Sequence, residues 1–276
     1  MTIWVLLLTC WEAAYRVVQW EPYKFPAPSH VLDRALSLLN VHTAFSNPLH
    51  RGWPRPQTAP PREEPPRVWN SPLFIANVVS LSRLAVGFTV SIVLGGLLGL
   101  AMWRWGEFDA FLGPVLLGLQ TLPSVCWVPL AVLLLGLNEM GILFVLVMGS
   151  FSAVAIAMRD GLRLIPPLFP RAGMMLGAKG WKLYRYVLLP ASLPALSSSL
   201  RQGFSFAWRS LMGAEVILFT DRRGLGFLLE NGRDLSDISQ VVAVMIVMVL
   251  IGMLADRWVF AILQKRIQTR FGLAAS

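Results

Sequence analysis

Three stretches of the chain, Leu84 to Trp103, Met140 to Met158 and Ile238 to Ala255, run without a single charged side chain. A helix needs roughly 18 or more apolar residues to cross a hydrocarbon core about 30 Å thick, and each stretch is long enough. Lipid supplies no water to satisfy backbone N–H and C=O groups, so continuous apolar runs of this kind are read as helices that bond their own backbone. Of the 276 residues, 55% are hydrophobic and only 14% charged, with a mean hydropathy of +0.60, too few charges to cover a soluble globule. The expected class is an all-α polytopic membrane protein.

Further runs bring the expected number of transmembrane helices to about six. Ala110 to Asn138 is broken by Pro114, Pro123 and Pro129, and Pro190 to Phe219 contains Arg201, Arg209 and Glu215. Residues 1–20 lack the basic start and small-residue cleavage site of a signal peptide. They read as a first transmembrane or interfacial helix, with Trp11 and Trp20 suited to interfacial positions. Residues 21–72, the one sizeable polar region, are expected to be an outer Pro-rich loop with a short helix, its second half so rich in Pro that it should be extended, because each ring fixes φ and removes a donor. Residues 73–272 hold the remaining spans.

Alternation of six spans leaves one binary choice. An inside N-terminus puts the loop at about 159–189 in the cytoplasm, with Arg159, Arg163, Arg171, Lys179, Lys182 and Arg185 against the single acid Asp160. The tail adds Lys265, Arg266 and Arg270, so positive-inside bias favours this orientation. The outer loops dilute the bias, because they carry nine Lys or Arg of their own.

The chain offers no chemistry of its own. Cys10 and Cys126 both fall in expected spans, where a small apolar packing role is the default. His30, His42 and His50 match no metal-ligand spacing, and no phosphate loop, nucleophile elbow or carboxylate pair occurs. No catalytic, cofactor-binding or metal residues are expected, and the partner expected from composition is membrane lipid, not nucleic acid.

One basic segment stands apart. After Pro166, Pro167 and Pro170 end the fourth span, Met174, Met175, Ala178 and Trp181 recur at helical spacing from Arg171 onward, with Gly177 as a turn. Lys179, Lys182 and Arg185 fall on another face before Leu189-Pro190 closes the segment. A short helix, a glycine hinge and a second helix entering the membrane follow. Such a segment can lie on anionic lipid or dock in a protein groove, to which the Met pair is suited because Met adapts to uneven surfaces.

These residues resemble the cytoplasmic loop of the permease subunits of ATP-binding cassette (ABC) importers, in which Glu-Ala-Ala precedes a spaced Gly and an Ile-x-Leu-Pro block. Here Arg171-Ala172-Gly173 stands at the Glu-Ala-Ala position, Gly177 at the Gly, and Val187-Leu188-Leu189-Pro190 at the terminal block. The likeness extends over about residues 72–272 and is nearest the nitrate, sulfonate, taurine and bicarbonate permeases. Ser80-Leu81-Ser82-Arg83 with Gly87-Phe88, the block of Pro123, Trp127 and Pro129, Ala207-Trp208 with Ala214-Glu215, and Gly224-Leu225-Gly226-Phe227 carry it. Pro26 to Leu32 resembles the family's outer Pro-Ser-Pro segment, Arg171 reverses the sign of an acidic position, Ser124 replaces a second Pro, and 41–71 is a local elaboration.

The resemblance implies a type I ABC importer (MetI-like) permease fold in the bacterial inner membrane. It implies a translocation pathway for a small anionic solute, formed as a homodimer with a second copy. It also implies two separate ABC ATPase subunits that carry ATP and Mg, and a periplasmic or lipid-anchored solute-binding protein. Arg171, Ala172, Gly173, Met174, Met175, Gly177, Leu189 and Pro190 would form the ATPase-coupling segment. An ion-coupled secondary transporter is the alternative, but it would usually show internal repeats and acids near the midplane.

Pathway candidates come from two spans. Helical residues seven apart differ by only about 20° around the axis, so Arg201, Trp208 and Glu215 share a face with Ser205 and Met212 beside them. Charges within the membrane seldom face lipid, and the stripe is expected at a protein interface or a water-filled cavity. In the third span Pro123 and Pro129 remove donors and leave carbonyls that lipid cannot satisfy. That span, with Gln120, Thr121, Ser124 and Trp127, is therefore a candidate gate. Gly95 and Gly99 permit close helix approach, either between copies or within one subunit.

Overall fold

The structure, a computed structural model, describes residues 9–15, 26–39 and 68–270. All regular elements among the described residues are helical. Residues 9–15 are helical, while the rest of 1–20 and the Pro-rich stretch lie outside the described residues. The main helices are α1 (Pro28–Leu38), α2 (Pro72–Arg104), α3 (Gly106–Thr121), α4 (Val128–Leu135), α5 (Glu139–Arg163), α6 (Leu168–Met175), α7 (Leu189–Ile217), α8 (Leu225–Asp234), α9 (Ile238–Leu254) and α10 (Ala261–Arg270).

Among the described residues, three helical stretches are long and apolar enough to cross a membrane: Pro72–Arg104, Glu139–Arg163 and Ile238–Ile267. A fourth span results if α3 and the Ser124–Leu135 stretch, bent by 102°, count together. Helix α7, the expected fifth span, is 29 residues long but carries Arg201, Arg209 and Glu215 and is not among them.

The expected third span is two helices in place of one interrupted helix, and its prolines do different things. Pro114 sits inside α3. Leu122, forced from the helical region by the following ring, is extended at ψ 127 and ends α3. A 3₁₀ turn, Ser124–Trp127, then turns the chain into α4. Pro129 lies in the first turn of α4, where its missing N–H has no helical partner to lose, so it orphans no carbonyl as the sequence reading supposed.

The chain divides into two compact units, Met1–Leu81 with Asp221–Val249, and Ser82–Thr220 with Leu250–Ser276. In the second, α5 packs along α7, α3 and the rest of α2. Glycine makes these approaches. A Cβ on Gly95 would sit 2.5 Å from the Phe151 carbonyl oxygen, and one on Gly99 would overlap that of Ala155. The small pair thus serves packing of α2 on α5 inside one chain. Ser91 and Ser150 meet across the same contact at 2.7 Å, one hydroxyl donating to the other while the accepting one donates to a carbonyl of its own helix, Gly87 for Ser91 or Leu146 for Ser150. Met102, Leu116 and Ala155 form a buried apolar cluster beside it.

In the first unit α1, α8 and the start of α9 meet around Gln240, which is 2% exposed. Its amide donates to the Leu228 carbonyl at 2.8 Å and accepts from Arg34 at 2.8 Å, while Arg34 also reaches Asp237. The buried amide is thereby satisfied on both sides. Helix α8 lies in one of the outer loops, a polar stretch in which the sequence shows no apolar run long enough for a span. It closes with Arg233 and Ser236, the latter at φ 54.

Candidate functional site

The basic segment folds as helix, hinge and helix, with two differences from the sequence reading. Helix α6 begins at Leu168, three residues before Arg171, and Pro170 lies within it. Pro170 occupies the first turn, where N–H groups have no intrahelical acceptor, so the ring starts the helix instead of stopping it. At the other end Ala178 N donates to Gly173 O at 2.9 Å and Gly177 N to Met174 O at 3.0 Å, the paired bonds of a Schellman cap. Gly177 is at φ 83 with open space where a Cβ would be, so its backbone conformation and not its size is what the cap requires. A second left-handed glycine, Gly180 at φ 54, starts the turn Trp181–Leu183, which continues through a π-helical stretch, Tyr184–Leu188, into α7.

Size matters at Gly173 instead. It is buried, and a Cβ there would lie 2.8 Å from Val187 and 3.0 Å from Leu183, so α6 closes onto the second helix at this point. Tyr184 meets Trp103 of α2 edge to face, with centroids 5.8 Å apart. The outward side is apolar: Met175 and Leu176 are each 89% exposed and Trp181 78%, with Met174 half exposed. Arg171, Ala172, Lys179, Lys182, Arg185 and Leu189 are also exposed, whereas Pro190 is half-buried. An apolar knob inside a basic rim costs free energy in water.

The last turn of α5, from which this segment issues, is tied to the first turn of α3. Asp109 accepts from Arg159 at 2.9 Å and from Arg163 at 2.6 Å, and Arg159 also holds Asp160 at 2.8 Å. Asp109 carries no motif in the sequence; its only signal is an acid in a first helical turn near basic residues fifty positions on.

At the opposite end of α5 lies a buried ionic cluster. Arg83 of α2 is 5% exposed and grips both oxygens of Glu139 at 2.8 and 2.6 Å. It also donates to Glu215 of α7 at 2.7 Å and to Thr220 at 2.9 Å. Charge-assisted bonds of this kind satisfy a guanidinium removed from water. Three helices are joined through one side chain that the sequence marks only as part of the Ser-Leu-Ser-Arg block.

The structure brings the expected stripe of α7 onto one side and gives each member a neighbour in the same chain. Arg201 pairs with Asp256 through both carboxylate oxygens. Trp208, 9% exposed, lies against Gly252, and Glu215 is in the Arg83 cluster. Ser205 is exposed and donates to the Arg201 carbonyl at 3.2 Å, and Met212 is half-buried. In the bend, Ser124 and Val125 sit in a notch made by Gly149 of α5 and Gly213 of α7. Thr121, Pro123 and Pro129 are exposed, Gln120 and Trp127 half-buried, and no hydrogen bond satisfies the buried Trp127 indole nitrogen. Among the described residues, no group of three or more His, Cys, Asp or Glu could hold a metal ion.

Comparison with known proteins gives this arrangement its setting. A protein of Methanocaldococcus jannaschii named as an ABC transporter permease is 32% identical over 180 residues, 65% of this chain and 67% of that protein. The taurine transport system permease protein TauC of Escherichia coli is 24% identical over 262 residues, 95% of this chain and 86% of that one. Among solved structures, a chain of the MetNI methionine ABC transporter superposes with a TM-score of 0.55 at 18% identity, covering 69% of this chain and 96% of that one, which establishes the MetI-like permease fold. Residues 91–269 match the family of binding-protein-dependent transport system inner membrane components, and the chain, a multi-pass membrane permease of an ABC transporter, belongs to that family.

Proposed function

We propose that this chain forms the solute pathway of an ATP-driven importer for a small anion and is driven through residues about 171–190 by a separate ATPase subunit. The observation that carries the reading is the exposed knob of Met174, Met175, Leu176 and Trp181 on a capped helix with a basic rim. Relatives named for bicarbonate, nitrate and aliphatic sulfonate transport, beside the taurine permease, support an anionic solute class. In this reading two copies pair, each binds one ATPase subunit, and a solute-binding protein delivers cargo from outside the bacterial inner membrane. ATP and Mg belong to the ATPase, and the chain catalyses no reaction itself. Arg171 at the family's acidic position would face an acid, not a base, on the ATPase.

The test is co-purification from the native membrane with Met175→Asp as the probe. Burying an unpaired carboxylate in a docking groove is costly. The variant should insert normally yet lose the co-purifying ATPase or its stimulation by solute at least tenfold. Unchanged association and unchanged uptake would sink the reading.

A further inference from the structure

We propose that Arg209 is the anion-selecting cation of the solute pathway, exposed on a polar stripe of α7 with Gln202 and Ser205. This rests on the reading of the chain as an anion permease. Three other arginines of the long helices are matched by carboxylates: Arg83 by Glu139 and Glu215, Arg159 by Asp109 and Asp160, Arg201 by Asp256. Arg209 is matched by none among the described residues. Its Nε donates to the Ser205 carbonyl at 3.1 Å and its guanidinium stacks over Phe206, 4.8 Å from the ring centroid. Gln202, Ser205 and Arg209 recur at three- and four-residue spacing and are all exposed.

Lipid, a second copy and water could each cover such a stripe, and physical chemistry separates them. Lipid is excluded by the cost of an unpaired guanidinium in hydrocarbon. Snorkelling does not relieve that cost, because Arg209 lies about 12 Å from the Ile217 end at 1.5 Å per residue and its Nε points back a full turn, toward Ser205 and away from that end. A second copy packed on this stripe about a twofold axis would bring like charges together. A water-filled path remains, in which a hydrated guanidinium attracts an oxyanion and repels cations. The sequence stripe pointed to Arg201 and Glu215, but these are neutralised within the chain, leaving Arg209 to carry the field.

The experiment uses the full complex in native membranes with Cys10→Ser, Cys126→Ser and Ser205→Cys. Modification rates with an anionic sulfonatoethyl and a cationic trimethylammonium-ethyl methanethiosulfonate are measured, each divided by its rate with a free thiol. Arg209 should favour the anionic reagent, Arg209→Gln should lower the ratio by about tenfold, the effect of one charge a helical turn away, and Arg209→Lys should retain it. An unchanged ratio in Arg209→Gln overturns the proposal. So does an introduced thiol that resists both charged reagents while reacting with a membrane-permeant neutral maleimide. Should Arg209→Gln not assemble, raising salt on the parent reporter takes its place: the ratio falls if a local cation sets it, and a constant ratio overturns the proposal. Uptake of labelled taurine, bicarbonate, nitrate and a short alkylsulfonate is measured alongside. Transport of none of them overturns the anionic solute class, while the reagent ratio still decides whether Arg209 stands in an aqueous path.

Discussion

The Arg83 cluster and the 168–185 segment break opposite rules. The first buries two charges, Arg83 and Glu215, and half-buries a third, Glu139, in an apolar protein; the second exposes four large apolar side chains on a basic loop. In the first, every charge finds its partner within the chain, as a structural tie requires. In the second no part of the described chain covers Met175, Leu176 or Trp181, which is why we propose it as the surface that meets the ATPase. Satisfaction within the chain, not polarity, separates the residues that hold this fold from those that face outward. Arg201 and Arg209, two turns apart on one helix, repeat the contrast in miniature.

The largest break should come from Arg83→Leu. It leaves Glu215 buried with no cation, and removing one partner of a buried pair costs about 3–5 kcal/mol. Little assembled protein should survive detergent extraction, as read by size-exclusion profile and thermal unfolding. Near-normal yield would show that Glu215 finds another partner.

Glu215 itself should be gentler to change, because two carboxylates share one guanidinium and Glu139 remains. Glu215→Gln keeps an acceptor for Arg83 and should assemble at close to parental levels. Glu215→Leu leaves a buried donor unmet, at about 1–3 kcal/mol. If Glu215 also served the pathway, uptake per assembled complex would fall in the Gln variant, whereas a purely architectural Glu215 leaves it unaltered.

Gly177→Val sharpens the other side of the comparison. A β-branched residue at φ 83 costs about 1–2 kcal/mol, enough to reset the hinge but not to unfold the spans. ATPase stimulation by solute should drop while thermal unfolding of the complex is nearly unmoved, and Gly177→Asn, which tolerates a left-handed backbone, should recover most of the coupling.

The smallest effect is expected from Asp109→Asn. The pairs with Arg159 and Arg163 are only partly shielded from solvent, so about 1 kcal/mol is at stake. The unfolding temperature should fall slightly at low salt, and the difference from the parent should shrink as salt rises.

Much of this was legible along the chain. The apolar runs around 84–103, 140–158 and 238–255 mark the three long helices, and the spacing from Gly177 to Pro190 marks the capped hinge. The prolines were misread where position within a helix matters: Pro170 and Pro129 occupy first turns, and only Pro123, through Leu122, makes the bend. Gly180 and helix α8 went unseen because a left-handed glycine and a short amphipathic helix leave little periodic signal in a polar stretch.

What the sequence by itself determined was the solvent and the local geometry, because hydropathy and backbone capping act within a few turns of chain. Only the tertiary structure decided which charges are spent. Arg83 meets Glu139 and Glu215 across separations of 56 and 132 residues, and Arg201 meets Asp256 across 55. The seven-residue spacing placed Arg201 and not Arg209 on the stripe, but nothing in local pattern tells which of the two is paired with a carboxylate. The difference lies in which neighbour brings a carboxylate within hydrogen-bond reach, and the chain acquires that property only by packing.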